Sequence, residues 1–228
     1  MAIGFRHSDA RFPFFWESTG QPSARWHAAG DGPVQYLADT PDGAWAEFLR
    51  HEEITEPADL AGIIRRIWAV QLPVEIGDAV EPQLPEHILL GGTDTYASCQ
   101  DEARRLRAAG ADAIEAPSAA LRPGGARGQF TRGGLVEAPD VDGVVWAIFG
   151  APPDSRGWAA VDVGAPTARL LPLVRHFGDG PPAAGRPSRS DRRSGRERRT
   201  TIDITQERLA KPERRTNARR GRGGSRPS

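Results

Sequence analysis

In the stretch "ARWHAAGDGPVQYLADTPDGAWAEFLRHEE", residues 24–53, an arginine, a tyrosine and a glutamate follow one another at equal intervals: Arg25, Tyr36 and Glu47. Together they supply a permanently charged fork suited to two oxygens of an anion, an aromatic face with a hydroxyl, and a carboxylate that can stabilise a developing positive charge. Each type also has an ordinary structural use. Arg25 could pair with a surface acid on a strand, Tyr36 could be a core ring with its hydroxyl at the rim, and Glu47 could pair along a helix with Arg50 or His51. The elements that carry the three residues decide between these readings.

"PVQYLA" (Pro33–Ala38) has strand character, and "TPDGAWAEFLRHEE" reads as a helix with clear start signals. Thr40 is its expected N-cap, Pro41 its first helical position and Asp42 an acid in the positive first turn. Ala44, Trp45, Phe48 and Leu49 form its buried face, with Glu47 on the flank of that face. "AGIIRRIWAVQLPV" (Ala61–Val74) predicts a strand ending at Pro73, followed by a Pro-rich connection to Leu90. A second helix is predicted in "DTYASCQDEARRLRAAG", capped by Asp94, with Leu106 on its core stripe and Gly110 as its stop. It runs into "ADAIEAPSAA", a short strand that breaks at Pro117 and presents Ser118. "GVVWAIFG" (Gly143–Gly150) and "TARLLPLV" (Thr167–Val174) predict two more strands. Many β-runs with two or three helices argue for an α+β fold, one compact domain around a twisted, mostly antiparallel mixed sheet.

Several common chemistries lack their signatures. None of the five histidines, at 7, 27, 51, 87 and 176, pairs with another at metal-ligand spacing, so no metal is expected. Ser118 lies in "APSAA", which is not the strand-turn-helix elbow of a serine hydrolase. "RPGGARGQF" (Arg122–Phe130) is glycine-rich, but it fits neither the phosphate-loop nor the dinucleotide-binding fingerprint.

The motifs "FRH" (Arg6), "ARWHAAG" (Arg25), "PVQYLADTP" (Tyr36), "AWAEFLRH" (Glu47) and "AAGADAIEAPSA" (Ser118) occur in an order that resembles the RES-domain family, named for an Arg, a Glu and a Ser. The resemblance spans about residues 5–175. It implies a fold similar to ADP-ribosyltransferase toxins and an NAD-consuming activity. In that activity the bond between nicotinamide and ribose is cleaved, and ADP-ribose passes to water, phosphate or a protein. It also implies a toxin of a toxin–antitoxin pair, whose partner is a helix-turn-helix antitoxin that plugs the cleft.

Under that resemblance Glu47 would stabilise the oxocarbenium-like ribosyl cation or hold the ribose hydroxyls. Arg25 and Arg6 would bind the pyrophosphate, and Tyr36 would pack on the nicotinamide ring while its hydroxyl donates a hydrogen bond. Ser118 would orient the ribose or the carboxylate. The family often places an Asn-Pro element after the Ser, whereas the one Asn of this chain is Asn217. Arg122, Arg127 or Gln129 would then replace it, or the acceptor chemistry differs.

Charge divides the chain into an expected domain, 1–178, and an Arg-rich tail, 179–228. The tail carries fifteen Lys and Arg against six Asp and Glu, which leaves fifteen against twenty-four in the body, although the whole chain has zero formal charge. With few large apolar residues beyond Ile202, Ile204 and Leu209, the tail reads as disordered, with a transient helical turn at Thr205–Ala210. It opens a second class of function, a non-catalytic RES-like protein whose tail binds nucleic acid or an acidic partner through phosphate or carboxylate contacts. A single cysteine, Cys99, and the lack of an apolar leader or span point to the cytoplasm, with no membrane association.

Overall fold

A computed structural model of the chain describes residues 2–17, 20–72, 79–150 and 155–179. The expected strand end at Pro73 and the tail reading from residue 180 onward, with its helical turn at Thr205–Ala210, lie outside the described residues. The architecture is α+β. Six strands, β1 (Ala2–Ser8), β2 (Val34–Ala38), β3 (Arg65–Leu72), β4 (Ala113–Pro117), β7 (Val144–Phe149) and β8 (Gly157–Gly164), form one sheet in the order β4-β7-β2-β1-β3-β8. Every neighbouring pair in it is antiparallel. β5 (Gln129–Thr131) and β6 (Leu135–Glu137) make a separate hairpin.

One face of the sheet carries the long helices α1 (Pro41–His51) and α3 (Tyr96–Ala108), with a single turn, α2 (Glu86–Leu89), ahead of α3. Because strand side chains alternate, Val34, Tyr36 and Ala38 point to this helical face, while Leu37 packs on the opposite one with Val70, Trp146 and Ile148. α1 presses Ala44, Trp45, Phe48 and Leu49 onto the sheet, and α3 presses Cys99, Ala103 and Leu106. The two helices converge where β2 ends and β4 begins its exit turn, and the site lies in that angle.

α1 starts as its sequence dictates: the Thr40 hydroxyl oxygen accepts a hydrogen bond from the Gly43 amide at 3.0 Å, and Pro41 needs no donor at the first position. Thr40→Ala is expected to cost about 1 kcal/mol of stability, as caps of this kind do. Urea unfolding of the variant beside the wild type measures it, and equal midpoints would remove the cap from the account.

Two local expectations are corrected. Thr167–Val174 is not a strand but contains a 3₁₀ helix, Ala168–Leu173. The adjacent Leu170 and Leu171 are both buried against α1, which an alternating strand would not allow, and Pro172 cannot donate to a ladder. Asp94 does not cap α3; Thr95 occupies that position after a 3₁₀ turn over Thr93–Thr95, and the Thr95 hydroxyl donates to the Gly92 carbonyl at 2.8 Å. Gly110 does stop α3, in the left-handed conformation at φ 90°. β1 and β8 are strands that the sequence pattern did not predict.

Candidate active site

A cleft of about 420 Å³, counting the space open to solvent, lies between the Ala24–His27 turn, α1, the start of α3 and the residues that follow β4. Arg25, Tyr36, Glu47, Arg50, His51 and Tyr96 line it, together with Pro117 and Ala119. The equal spacing of Arg25, Tyr36 and Glu47 is thus resolved: a turn, a strand and a helix in succession bring all three to one cavity.

Glu47 sits on its floor, 5 % exposed. Its backbone belongs to a helix held down by Trp45 and Phe48, and the Ser118 turn closes over its side chain. The Ser118 hydroxyl donates to Glu47 Oε1 at 3.2 Å and accepts from the amides of Ala120 at 3.2 Å and Leu121 at 3.1 Å. Ser118 therefore touches the carboxylate directly. Gly143 permits this closeness, since a Cβ there would lie 2.7 Å from Leu121 Cδ1 and 3.2 Å from Ser118 Cβ. Burial raises the Glu47 pKa, while Arg50, Arg25, the Ser118 hydroxyl and the Ala120 amide pull it back down.

His51, one turn on, places Nε2 3.8 Å from Glu47 Oε2. Its own pKa is pushed down to about 3 by burial and by the charges of Arg50 and Arg25, so at neutral pH the imidazole is uncharged and the contact is not an ion pair. The cleft thus holds one carboxylate between two guanidinium groups.

Arg25 is fixed by a tight turn in which Ala24 and His27 exchange backbone hydrogen bonds at 2.9 and 3.3 Å. Its guanidinium donates to the carbonyls of Ile88 at 3.0 Å and Gly91 at 2.7 Å and to the Thr95 hydroxyl at 3.3 Å, and it lies 5.0 Å from the Tyr96 ring centre. Tyr36 locks the same turn from below. Its hydroxyl accepts from the Trp26 amide at 3.0 Å and stands 2.8 Å from His27 Nδ1, while His27 Nε2 stands 2.8 Å from the Pro22 carbonyl. That carbonyl can only accept, so the proton belongs on Nε2 and Nδ1 accepts from Tyr36. Burial lowers the His27 pKa and favours the neutral ring that this arrangement needs. Tyr36 therefore offers the cavity its ring, whereas its hydroxyl hydrogen is directed at His27, contrary to the donor role expected for it.

Arg6 is not brought to the cleft. In β1 the neighbouring His7 packs edge-on against Phe48 of α1, ring centres 5.0 Å apart, so Arg6 points to the opposite face of the sheet, where it donates to Gln35 Oε1 at 3.3 Å. Arg122, Arg127 and Gln129 do not line the cleft either. Arg122 donates to the Val174 carbonyl and pairs with Asp179, Arg127 stands 3.8 Å from Asp140, and Gln129 is exposed in the hairpin. Among the described residues no cluster of His, Cys, Asp and Glu is arranged to hold a metal ion, and no helix is long and apolar enough to cross a membrane.

Sequence reasoning did not assign Arg50, His51 and Tyr96 to the site. For Arg50 and His51 the signal was available, because residues three and four positions after Glu47 share its side of the helix. For Tyr96 there was none: its place at the cleft depends on the 3₁₀ turn that precedes α3.

A family model of the RES domain matches residues 2–134, more than half of the chain. A protein of Mycobacterium tuberculosis named "Probable NAD(+) phosphorylase" is 29 % identical over 100 residues, a stretch covering 42 % of this chain and 48 % of that protein. The match thus spans about half the length of that relative. No solved structure matches the chain. The matched residues include every charged side chain that lines the cleft, and the chain belongs to the RES-domain family.

Proposed function

We propose that this protein is an NAD-consuming enzyme that cleaves the bond between nicotinamide and ribose and passes ADP-ribose to water or phosphate. The observation that carries the reading is Glu47: a buried carboxylate at the floor of a cleft, oriented by Ser118 and flanked by Arg25 and two tyrosine rings. The name of the mycobacterial relative supports the same substrate.

The chemistry follows from the residue types. As the bond from ribose C1′ to the nicotinamide nitrogen breaks, its electron pair leaves with the nicotinamide and C1′ becomes cationic. Among the described residues Glu47 is the one carboxylate lining the cleft that can face that charge, and in a site screened from water the attraction is stronger than at a surface. The acceptor oxygen then bonds to C1′; a water gives up a proton in doing so, whereas a phosphate dianion attacks with an oxygen that carries none. Arg25 supplies the forked donor for the pyrophosphate, and the Tyr36 and Tyr96 rings supply faces for the planar nicotinamide.

Incubating the full chain with NAD, with and without phosphate, and separating the products tests the proposal. Nicotinamide is released with either acceptor; ADP-ribose formed without phosphate marks water, and release that needs phosphate and yields a phosphorylated ADP-ribose marks phosphate. Release of no nicotinamide under both conditions overturns the reading. A toxin role under an antitoxin's control belongs to the same reading and predicts that expression alone lowers cellular NAD and arrests growth.

A further inference from the structure

We propose that Arg50 is the positioning residue of the cleft: its guanidinium ties three separate chain segments together and so sets the seat of Glu47, three residues earlier on the same helix. The inference takes Glu47 to be the reacting carboxylate, as read above, but the tie itself does not depend on the reaction.

Arg50 is 1 % exposed, a burial that an arginine tolerates only when its donors are matched. Three hydrogen bonds run from its terminal nitrogens to main-chain carbonyls. One terminal nitrogen donates to the Ala119 carbonyl and to the Arg175 carbonyl, the latter at 3.0 Å; the other donates to the Gly91 carbonyl at 2.7 Å. The Phe177 ring covers the group, 4.6 Å from ring centre to the guanidinium carbon. No acidic side chain is among these hydrogen-bond partners, so the positive charge is not consumed by an ion pair and acts on Glu47, three residues earlier on the same helix.

Two of the three ties touch the site. Ala119 directly follows Ser118, whose hydroxyl contacts Glu47, and precedes Ala120, whose amide also stabilises the carboxylate. Gly91 accepts from Arg25 as well, also at 2.7 Å, so one carbonyl oxygen holds both guanidinium groups in register. A Cβ at position 91 would run into Thr95 Cγ2 and lie 2.7 Å from the His87 carbonyl, so glycine is the residue that fits there. Only a planar fork reaches three acceptors in different directions; a lysine ammonium offers charge without that reach.

The groups that face Glu47 are Arg50 and His51 from α1, Arg25 from the Ala24–His27 turn, Ser118 and the Ala120 amide after β4, and Arg175 behind Arg50. Burial raises the Glu47 pKa, and among the groups that pull it back down Arg50 comes first, ahead of Arg25. His51 titrates at about 3 and does not change charge in the window where the site would work.

The test uses Arg50→Met and Arg50→Lys in the full chain. The Glu47 carboxyl resonance is assigned by its loss in Glu47→Gln and titrated by carbon-13 NMR beside the pH profile of nicotinamide release. In Arg50→Met the Glu47 titration and the acid limb of kcat/KM both move up by about one pH unit or more, and kcat falls about tenfold or more. Arg50→Lys brings the acid limb back towards the wild-type position while kcat stays low, because charge returns and the three-way tie does not. An unshifted Glu47 titration in Arg50→Met overturns the proposal. Should that variant not fold, a kcat in Arg50→Lys within about twofold of wild type does so instead. If the wild type releases no nicotinamide, the functional reading fails, and the NMR titration still decides the role of Arg50.

Discussion

Glu47→Gln releases nicotinamide about a hundredfold to a thousandfold more slowly than the wild type at neutral pH, with little change in KM. The substitution keeps the shape of the side chain and its contact with Ser118 but removes the one negative charge available to a cationic ribose. It leaves the fold at least as stable. A carboxylate whose folded-state pKa is raised binds its proton more readily folded than unfolded, so stability falls as pH climbs from the ordinary carboxylate range through the raised value. The neutral amide of the variant escapes that loss, and thermal unfolding at pH 5 and pH 8 should show the wild type dropping relative to the variant. Full activity in the variant would leave an enzyme in place and discard this site.

Arg25→Lys lowers kcat/KM by about tenfold to a hundredfold, mainly through KM, because an ammonium group does not reproduce the fork that an arginine presents to a pyrophosphate. The replacement also strands acceptors. Ile88 and Gly91 carbonyls and the Thr95 hydroxyl all take hydrogen bonds from Arg25, and they belong to the wall that leads into α3. Unfolding and initial rates measured on one preparation separate the two effects, since Arg50 still holds Gly91 when Arg25 is gone. A KM equal to that of the wild type would take Arg25 out of substrate binding and leave it a structural residue.

The legibility of this site in its sequence differs from residue to residue for physical reasons. The start of α1 was fully readable because Thr40, Pro41 and Asp42 act through neighbours within one helical turn. Glu47 could be placed beside the buried face by periodicity, but its burial depends on Ser118, seventy-one residues away, and no local pattern encodes that. Tyr36 does line the cleft, yet its hydroxyl does not serve it as expected, because the partner that takes the hydrogen, His27, lies in a turn whose closure is tertiary. Arg6 lies on the other face of the sheet from His7 because a strand turns alternate residues to opposite faces, and the pattern around it carries no clear strand signal. From the sequence, Arg50 offers itself only as a helix partner for Glu47. Its acceptors are carbonyls from three loops, and carbonyls leave no trace in a sequence.

Cys99 is the one thiol in the chain, and it is fully enclosed, with its sulfur 3.8 Å from an Arg25 terminal nitrogen in the wall between α3 and the cleft. Burial also raises its pKa, which keeps the reactive thiolate scarce. An alkylating reagent therefore reaches it only when that wall opens, and the rate of labelling reads local unfolding rather than ordinary surface exposure. The molecule carries its own clock for the opening of its cleft, and a ligand that closes the Arg25 side will slow it without any probe having to be introduced.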